Sequence, residues 1–305
     1  MIHLIGKQLL LGLCVVASAI TLTFFMVRLS GDPTTQILPQ DATAEQRVAL
    51  QRELGLDQPV SVQYFRYLAG AVRGDFGKSY FDGDTVTSII MRRLPNTALL
   101  AGASLAVALA FAIPLGVLAA TRRGGLLDRS VQVISVIGAS VPSFWMALLM
   151  IQIFAVGLGW FPTYGIGSWQ NLVLPTATLA LYVFPGVTRL TRSSMLEVLP
   201  SGYVSAARAK GMPERRVIFR TVMRNGIVPV LALIALEIGT LFGGAVLTET
   251  VFSWPGIGRL AIESIQRRDY PIIQGVVAYV AVIFASITVL VEIVIRLVNP
   301  RLRQQ

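Results

Sequence analysis

Histidine and cysteine each occur once in this 305-residue sequence, as His3 and Cys14. One cysteine cannot form a disulfide within the chain, and the two residues together cannot build a Cys/His metal site. Nucleophilic catalysis of the Ser-His-Asp or Cys-His kind would have to rest on His3, at the extreme N-terminus. Cys14 stands in an apolar run and reads as a lipid- or helix-facing filler. A phosphate-binding loop is also missing. Gly77-Lys78-Ser79 matches its end, but Val72 stands where the earlier glycine is required. Charge is scarce too, at 14% of residues, against roughly 25% in an average soluble domain.

What is present is apolar. Hydrophobic residues make up 54% of the chain, and the mean hydropathy is +0.68. A bilayer is the solvent that suits such a balance. A helical span needs roughly 20 mainly apolar residues, and six such runs occur, near 9–29, 97–120, 131–157, 171–190, 227–250 and 275–298. The expected fold is all-α and polytopic, with about six transmembrane helices. Ala17-Ser18-Ala19 has the small residues of a signal cleavage site, yet the apolar run continues through Phe24, Phe25, Met26 and Val27. That suits an uncleaved anchor. Leu13 before Cys14 also fits a lipoprotein cleavage site poorly. The expected division is an anchor helix at 1–30, a segment outside the bilayer at 31–96, a five-helix membrane domain at 97–299 and a tail at 300–305.

The net charge of +10 could suggest nucleic acid, but the positions of the charges argue for a membrane. The 189–226 loop holds eight basic residues (Arg189, Arg192, Arg208, Lys210, Arg215, Arg216, Arg220 and Arg224) against Glu197 and Glu214. The 121–130 loop adds Arg122, Arg123 and Arg129 against Asp128; the tail adds Arg296, Arg301 and Arg303, and the N-terminus Lys7. All fall on one side of a six-span arrangement. On the other side, 158–170 has no charge, 31–96 has seven basic and eight acidic residues, and 251–274 has three basic and two acidic. The positive-inside rule then predicts that both termini are cytoplasmic. Within 31–96, the 43–56 stretch reads as a short amphipathic helix with Val48, Leu50 and Leu54 as its apolar positions; Gly-Pro-Asp-rich pieces follow it.

Pro114, Pro142, Pro175 and Pro185 fall inside predicted spans. Proline removes an intrahelical bond and kinks the helix, which lipid tolerates where neighbouring helices or a water-filled path satisfy the freed carbonyls. Such kinks suit a transport pathway and ordinary membrane bundles alike. Glu237 falls near the middle of the fifth span and Glu249 near its far end. An ionisable group at that depth costs roughly 2.5 kcal/mol or more to bury. Pathway lining and helix-to-helix pairing both remain open for Glu237. Pro142, Glu237 and Glu249 are the candidate path residues. Glu292 and Arg296, four apart, form a favourable helical pair.

The 189–226 loop reads as two short helices with a break. Gly211 suits the end of the first, where a left-handed residue is wanted. Pro213 suits the first turn of the second, and Glu214 complements its positive end. Ala206, Ala207 and Ala209 leave a low surface that a partner can approach. Arg216, Arg220 and Arg224 form a basic stripe, while Val217, Thr221, Val222 and Met223 can face the bundle. Charge alone is equally compatible with a surface helix held by anionic lipid.

Tyr203 to Gly211 resembles the EAA motif of permease subunits of ABC-type importers. Ser205 stands where the motif has glutamate, and the terminal Ile-x-Leu-Pro is not at its usual spacing. Arg224-Asn225 before Pro229 resembles the peptide branch instead. Further matches run along nearly the whole chain: Gly31-Asp32-Pro33, Leu54-Gly55-Leu56-Asp57 with Pro59, Gly74-Asp75-Phe76-Gly77, Val141-Pro142-Ser143-Phe144-Trp145, Arg192-Ser193-Ser194-Met195, Phe252-Ser253-Trp254-Pro255-Gly256, Arg268-Asp269-Tyr270-Pro271 and Asn299-Pro300-Arg301. Together they resemble the B-type subunit of the dipeptide/oligopeptide permease family, whose members handle dipeptides, oligopeptides, glutathione, nickel chelates or opines. The short 158–170 loop is similar to compact members, glutathione permeases among them.

The resemblance implies a type I ABC importer permease fold in a bacterial inner membrane. It implies a second, homologous permease subunit, two ATP-binding subunits and a periplasmic substrate-binding protein. It also implies that ATP and Mg are bound by the partner subunits, with no cofactor and no catalytic residue in this chain. Tyr203, Ala206, Ala207, Arg208, Lys210, Gly211, Arg215 and Arg216 are then the expected coupling residues, lying in a helix that docks in a groove of the ATPase. An ion-coupled secondary transporter would be expected to show internally repeated halves with midplane charge; no repeat is visible, and only Glu237 is central.

Overall fold

The computed structural model describes residues 2–39 and 41–298. The Glu292–Arg296 pair and the 300–305 tail lie outside what is described. The helices run in the order α1 (Ile2–Leu29), α2 (Thr34–Ile37), α3 (Ala44–Glu53), α4 (Val60–Val72), α5 (Val86–Thr121), α6 (Leu126–Ser140), α7 (Ser143–Met150), α8 (Trp169–Val198), α9 (Gly202–Ala209), α10 (Glu214–Arg216), α11 (Met223–Val251), α12 (Ile257–Arg267) and α13 (Tyr270–Val298). A π-helical turn, Ile151–Gly157, follows α7, and another, Val217–Val222, leads into α11. Among the described residues there is no strand; Lys78 and Thr85 form an isolated bridge.

Among the described residues, five helical stretches are long and apolar enough to cross a membrane: Gln8–Leu29, Val86–Thr121, Trp169–Val198, Glu214–Gly243 and Tyr270–Val291. The expected third span takes another form. Leu126–Ser140 and Ser143–Gly157 meet at 103°, broken at Val141-Pro142. Pro142 is extended (ψ 139°) and caps α7 without a side-chain bond, so the chain turns there instead of kinking. Pro114, Pro175, Pro185 and Pro229 stay inside continuous helices. Two boundaries also move. The second span begins at Val86, eleven residues before the position expected, and α4 occupies part of the stretch read as Gly-Pro-Asp-rich.

The chain divides into two compact units, Met1–Thr97 with Pro255–Ser286 and Ala98–Trp254 with Ile287–Gln305. The anchor helix and the 31–96 segment are thus one packed unit with α12 and the start of α13. Thr43 caps α3 through a capping box with Gln46, as Ser/Thr before a Gln three residues on should. The sequence motifs meet in this unit. The Tyr270 hydroxyl donates to the Gly31 carbonyl. Arg268, left-handed at φ 56° at the end of α12, donates to Asp32 O at 3.3 Å and Thr35 Oγ1 at 3.1 Å. Gly31, at φ +111°, lies so close beneath that guanidinium that an added Cβ would sit 3.0 Å from it. Asp32 in turn accepts from Thr34 and from Gln51 Nε2. Asp269 accepts from the Ser79 hydroxyl at 2.5 Å and from the Tyr80 amide at 3.3 Å. Asn96 donates to the Pro255 carbonyl, and the Ile257 amide to Thr97. Beneath these bonds lies an apolar core of Val86, Ile89, Ile90, Ile257, Leu260, Ile272 and Val276.

In the second unit α8 is central and packs against α6, α7 and α11. Its core joins Leu100, Ala108 and Ala112 of α5, Leu179, Val183 and Val187 of α8, and Val230, Leu241 and Ala245 of α11, closed by Trp254. Close approach of α5 to α8 requires Gly116: a Cβ there would stand 2.7 Å from Thr191 Cβ.

Asp269 is 2% exposed, and burial pushes its carboxyl above the usual carboxylate range against the hydrogen bonds from Ser79 and Tyr80. The folded chain therefore holds this proton to higher pH than the unfolded chain. Its contribution to stability is greatest below the ordinary aspartate pKa and is lost as pH rises through the folded value. Thermal unfolding as a function of pH should show wild type losing up to about 1.4 kcal/mol per pH unit over that window relative to Asp269→Asn. Parallel curves for the two proteins would remove this group from the pH response.

Candidate functional site

The 189–226 loop is held against the bundle by apolar side chains. Val204 and Ala207 of α9, Val217 and Val222 of the π-helical turn, Met195 of α8, and Val117 and Ala120 of α5 form one buried cluster. Val204 and Ala207 are three residues apart, one turn of one face. Tyr203, Ser205, Ala206, Arg208, Ala209 and Lys210 are exposed. Ala207 therefore departs from the sequence reading: it is 8% exposed and faces the bundle, because its spacing from Val204 places it on the seated face. The low outer surface is carried by Ala206 and Ala209.

The break falls where expected. Gly211 is left-handed at φ +74°, and its amide bonds the Arg208 carbonyl at 2.9 Å. Pro213 precedes α10, and the Arg216 and Val217 amides return to its carbonyl. Across the break Arg208 grips Glu214 with two bonds, 2.7 and 3.1 Å. Both side chains are open to water, so this pair sets the angle of the break more than it stabilises the fold. Arg215, Arg216, Arg220 and Arg224 are exposed as the basic stripe requires. Asn225 Nδ2 donates to Tyr203 Oη at 3.2 Å, linking the start of α11 back to α9. Gly226 lets this corner approach α8, since a Cβ there would sit 3.0 Å from Met195 Sδ.

A second anchor lies beside the loop, and sequence reasoning missed it. Asp128, 2% exposed, accepts from Arg192 Nε at 2.5 Å and NH2 at 2.9 Å, from the Gly124 amide at 2.9 Å and from Gln132 Nε2 at 3.0 Å. This one carboxylate fixes the 121–125 turn, α6 and the C-terminal part of α8 together. In the sequence both residues were counted as loop charge. Their separation of 64 positions left no local signal.

The candidate path residues sit in different surroundings. Glu249 is fully buried. Glu237 is half-buried; Oε2 accepts from Thr240 at 2.9 Å, and Oε1 lies over Gly186, where a Cβ would be 3.5 Å away. Of the two roles left open for Glu237, its contacts are those of a group packed between α11 and α8. Pro142 is exposed at its bend. A cavity of about 590 Å³ next to this region is lined by Gln132, Val136, Gly186, Arg189, Arg192 and Leu233, among others.

A membrane bundle with a seated, basic, glycine-broken loop is the form of an importer permease subunit. Residues 112–304 match the family described as binding-protein-dependent transport system inner membrane component, and residues 1–101 match its N-terminal family. The chain belongs to this family of ABC importer permeases, within its peptide/nickel/glutathione branch. It is 38% identical over 285 residues to the glutathione transport system permease protein GsiC of Salmonella paratyphi A, covering 93% of both chains. To GsiC of Escherichia coli K12 it is 38% identical over 279 residues, covering 92% and 91%. Among solved structures, the MetNI methionine ABC transporter in an inward-facing conformation aligns with a TM-score of 0.60 at 20% identity, covering 69% of this chain and 96% of that one. An amino acid ABC transporter aligns at 0.51 and 17% identity, covering 70% and 94%. These show the shared fold. The chain is a multi-pass membrane permease that works with ATPase and substrate-binding proteins.

Replacing Asp128 by Asn leaves Arg192 part-buried without its carboxylate. Because Arg192 stays 21% exposed, the loss should be about 2 kcal/mol, below the range for a fully buried pair. Thermal unfolding in detergent measures it, and an unchanged midpoint would show the pair to be dispensable.

Proposed function

We propose that this chain is the permease subunit of an ATP-driven importer of small peptides, with the tripeptide glutathione as first candidate cargo, and that the 201–225 loop couples it to the ATPases. The observation that carries the coupling is the two-faced loop: Val204 and Ala207 seat it while Tyr203, Ala206, Arg208, Lys210, Arg215 and Arg216 stay open around the left-handed Gly211. Relatives that carry glutathione at 38% identity favour that cargo; dipeptides, oligopeptides, nickel chelates and opines are the alternatives within the branch.

In this reading the chain pairs with a second, homologous permease in a bacterial inner membrane, both termini cytoplasmic, and a periplasmic binding protein delivers cargo. Two ATP-binding subunits hold ATP and Mg, and this chain contributes no catalytic group. Closure of the ATPases moves α9. Because α9 is packed on α5, α8 and the start of α11, the displacement passes into the bundle. ATP and the loaded binding protein supply the differential binding that alternating access requires.

Two measurements on the complete importer in proteoliposomes test this. Labelled glutathione should accumulate with ATP and the cognate binding protein, and unlabelled dipeptide should compete weakly; preferential dipeptide uptake would reassign the cargo. Gly211→Pro forces a φ near −65° where +74° is needed, and Ala206→Arg raises the low face. Both should lower uptake about tenfold or more while the complex still hydrolyses ATP. Full uptake by both variants would sink the coupling role.

A further inference from the structure

Arg28 sits one residue before the end of α1 and has no carboxylate within ion-pair distance among the described residues. Its guanidinium donates to the Phe24 carbonyl at 2.9 Å and to Gln63 Oε1 at 2.7 Å, and it stacks 3.3 Å above the Phe24 ring. Its Nε is buried with no hydrogen-bond partner. A part-buried guanidinium with no carboxylate partner favours an anion beside it. Arg28 borders a cavity of about 650 Å³ in the first unit. Arg66 and Lys78 border it too, along with the Tyr67 and Tyr80 side chains; its carboxylates are Glu53 and Asp75. Asp75 is already engaged by the Gly77 amide at 2.9 Å. The volume falls in the range of small-molecule sites.

A second cavity of about 460 Å³ lies in the same unit, and Phe76 borders both. Its walls are apolar: Leu13, Val16, Ala17 and Ile20 along α1, Leu68 and Ala71 on α4, with Ala278, Tyr279 and Val282 of α13. On α1 this groove ends at Ile20, about 12 Å along the helix from Arg28 at 1.5 Å per residue. Measured along α1, the apolar groove and the cationic cavity at the helix end are spaced to fit within about half of a 30 Å hydrocarbon core. Phe65 and Val72 of α4 are 67% and 82% exposed, leaving further apolar surface on the helix that carries Leu68 and Ala71.

We propose that this unit binds one anionic phospholipid, its phosphodiester in the cavity against Arg28 and an acyl chain in the Leu13–Ile20 groove. The occupant follows from the paired chemistry. A soluble oxyanion would use the cation and leave the groove idle, and a zwitterionic lipid would fill the groove while its own cation opposed Arg28, Arg66 and Lys78. Basic pockets beside membrane helices suit anionic headgroups for the same reason. The site is independent of the cargo and of the coupling loop.

The test is lipid retention by the complete purified importer, read by native mass spectrometry after exchange into equimolar phosphatidylglycerol and phosphatidylcholine. Wild type should keep one phosphatidylglycerol with a preference of about tenfold, the worth of one charge-assisted contact. Arg28→Gln should abolish the preference, and Arg28→Lys should keep part of it. Ala71→Phe, which fills the groove and leaves every cation in place, should lower total retention. If Arg28→Gln fails to assemble, Lys78→Gln with Ala71→Phe carries the test. Equal retention of both lipids by wild type, or no lipid retained, overturns the proposal. So does stabilisation by inorganic phosphate equal to that by phosphatidylglycerol, which would assign the cavity to a soluble oxyanion.

Discussion

A push on the 189–226 loop can enter the bundle only through side chains that touch both. Val204 and Ala207 of α9 and Val217 and Val222 of the π-helical turn press on Val117, Ala120 and Met195, and this cluster makes the loop part of the bundle's packing instead of a tether. Dispersion contacts of this kind are stiff because cores are close-packed. Asp128 adds a polar brace, holding the 121–125 turn and α8 at fixed distance. Everything proposed for coupling depends on that seat, since an unseated loop would move without moving α8 or α11.

The other unit is organised around hydrogen bonds between segments far apart in sequence. Gly31 and Asp32 meet Arg268 and Tyr270; Ser79 meets Asp269; Asn96 and Thr97 meet Pro255 and Ile257. Gly31-Asp32, Pro255 and Arg268-Asp269-Tyr270 belong to the short motifs that made the chain resemble a permease family. Their residue types are physical requirements of one junction: a glycine where a guanidinium passes close, an aspartate that receives a hydroxyl and an amide, a tyrosine that reaches a backbone carbonyl. In a membrane protein, backbone outside the helices needs such partners wherever water is excluded.

Much of this was legible because the bilayer imposes a coarse code. Apolar runs of about 20 residues marked the five continuous spans and the bent 126–157 pair, and Gly211-Met212-Pro213 marked the break in the loop. The misses have physical causes. Pro142 looked like a kink within one span, but after Val141 it turned the chain by 103°. Proline inside α8 gave the same sequence signal and no break, so neighbours decide the outcome. Helix α4 was hidden by its glycine- and proline-rich flanks. Ala207 was read by size, when its spacing from Val204 fixed its face. Arg28 falls inside the 9–29 run and carried no reading in the sequence, because its surroundings of Gln63, Phe24 and the cavity come together only in space.

Five residues separate Val217 from Val222, and both are fully buried. In an α-helix five residues turn about 500°, so the two side chains would point some 140° apart; the wider π turn brings them onto one face. The stretch therefore works as a vernier between two helical registers. Losing one residue from it would re-phase the loop against α11 by about 100° and swing Val204 and Ala207 off their seat. Length here is as constrained as chemistry. Between α9 and α11 the gene should accept exchanges at an exposed position outside the coupling surface, such as Phe219, and almost no change in the number of codons.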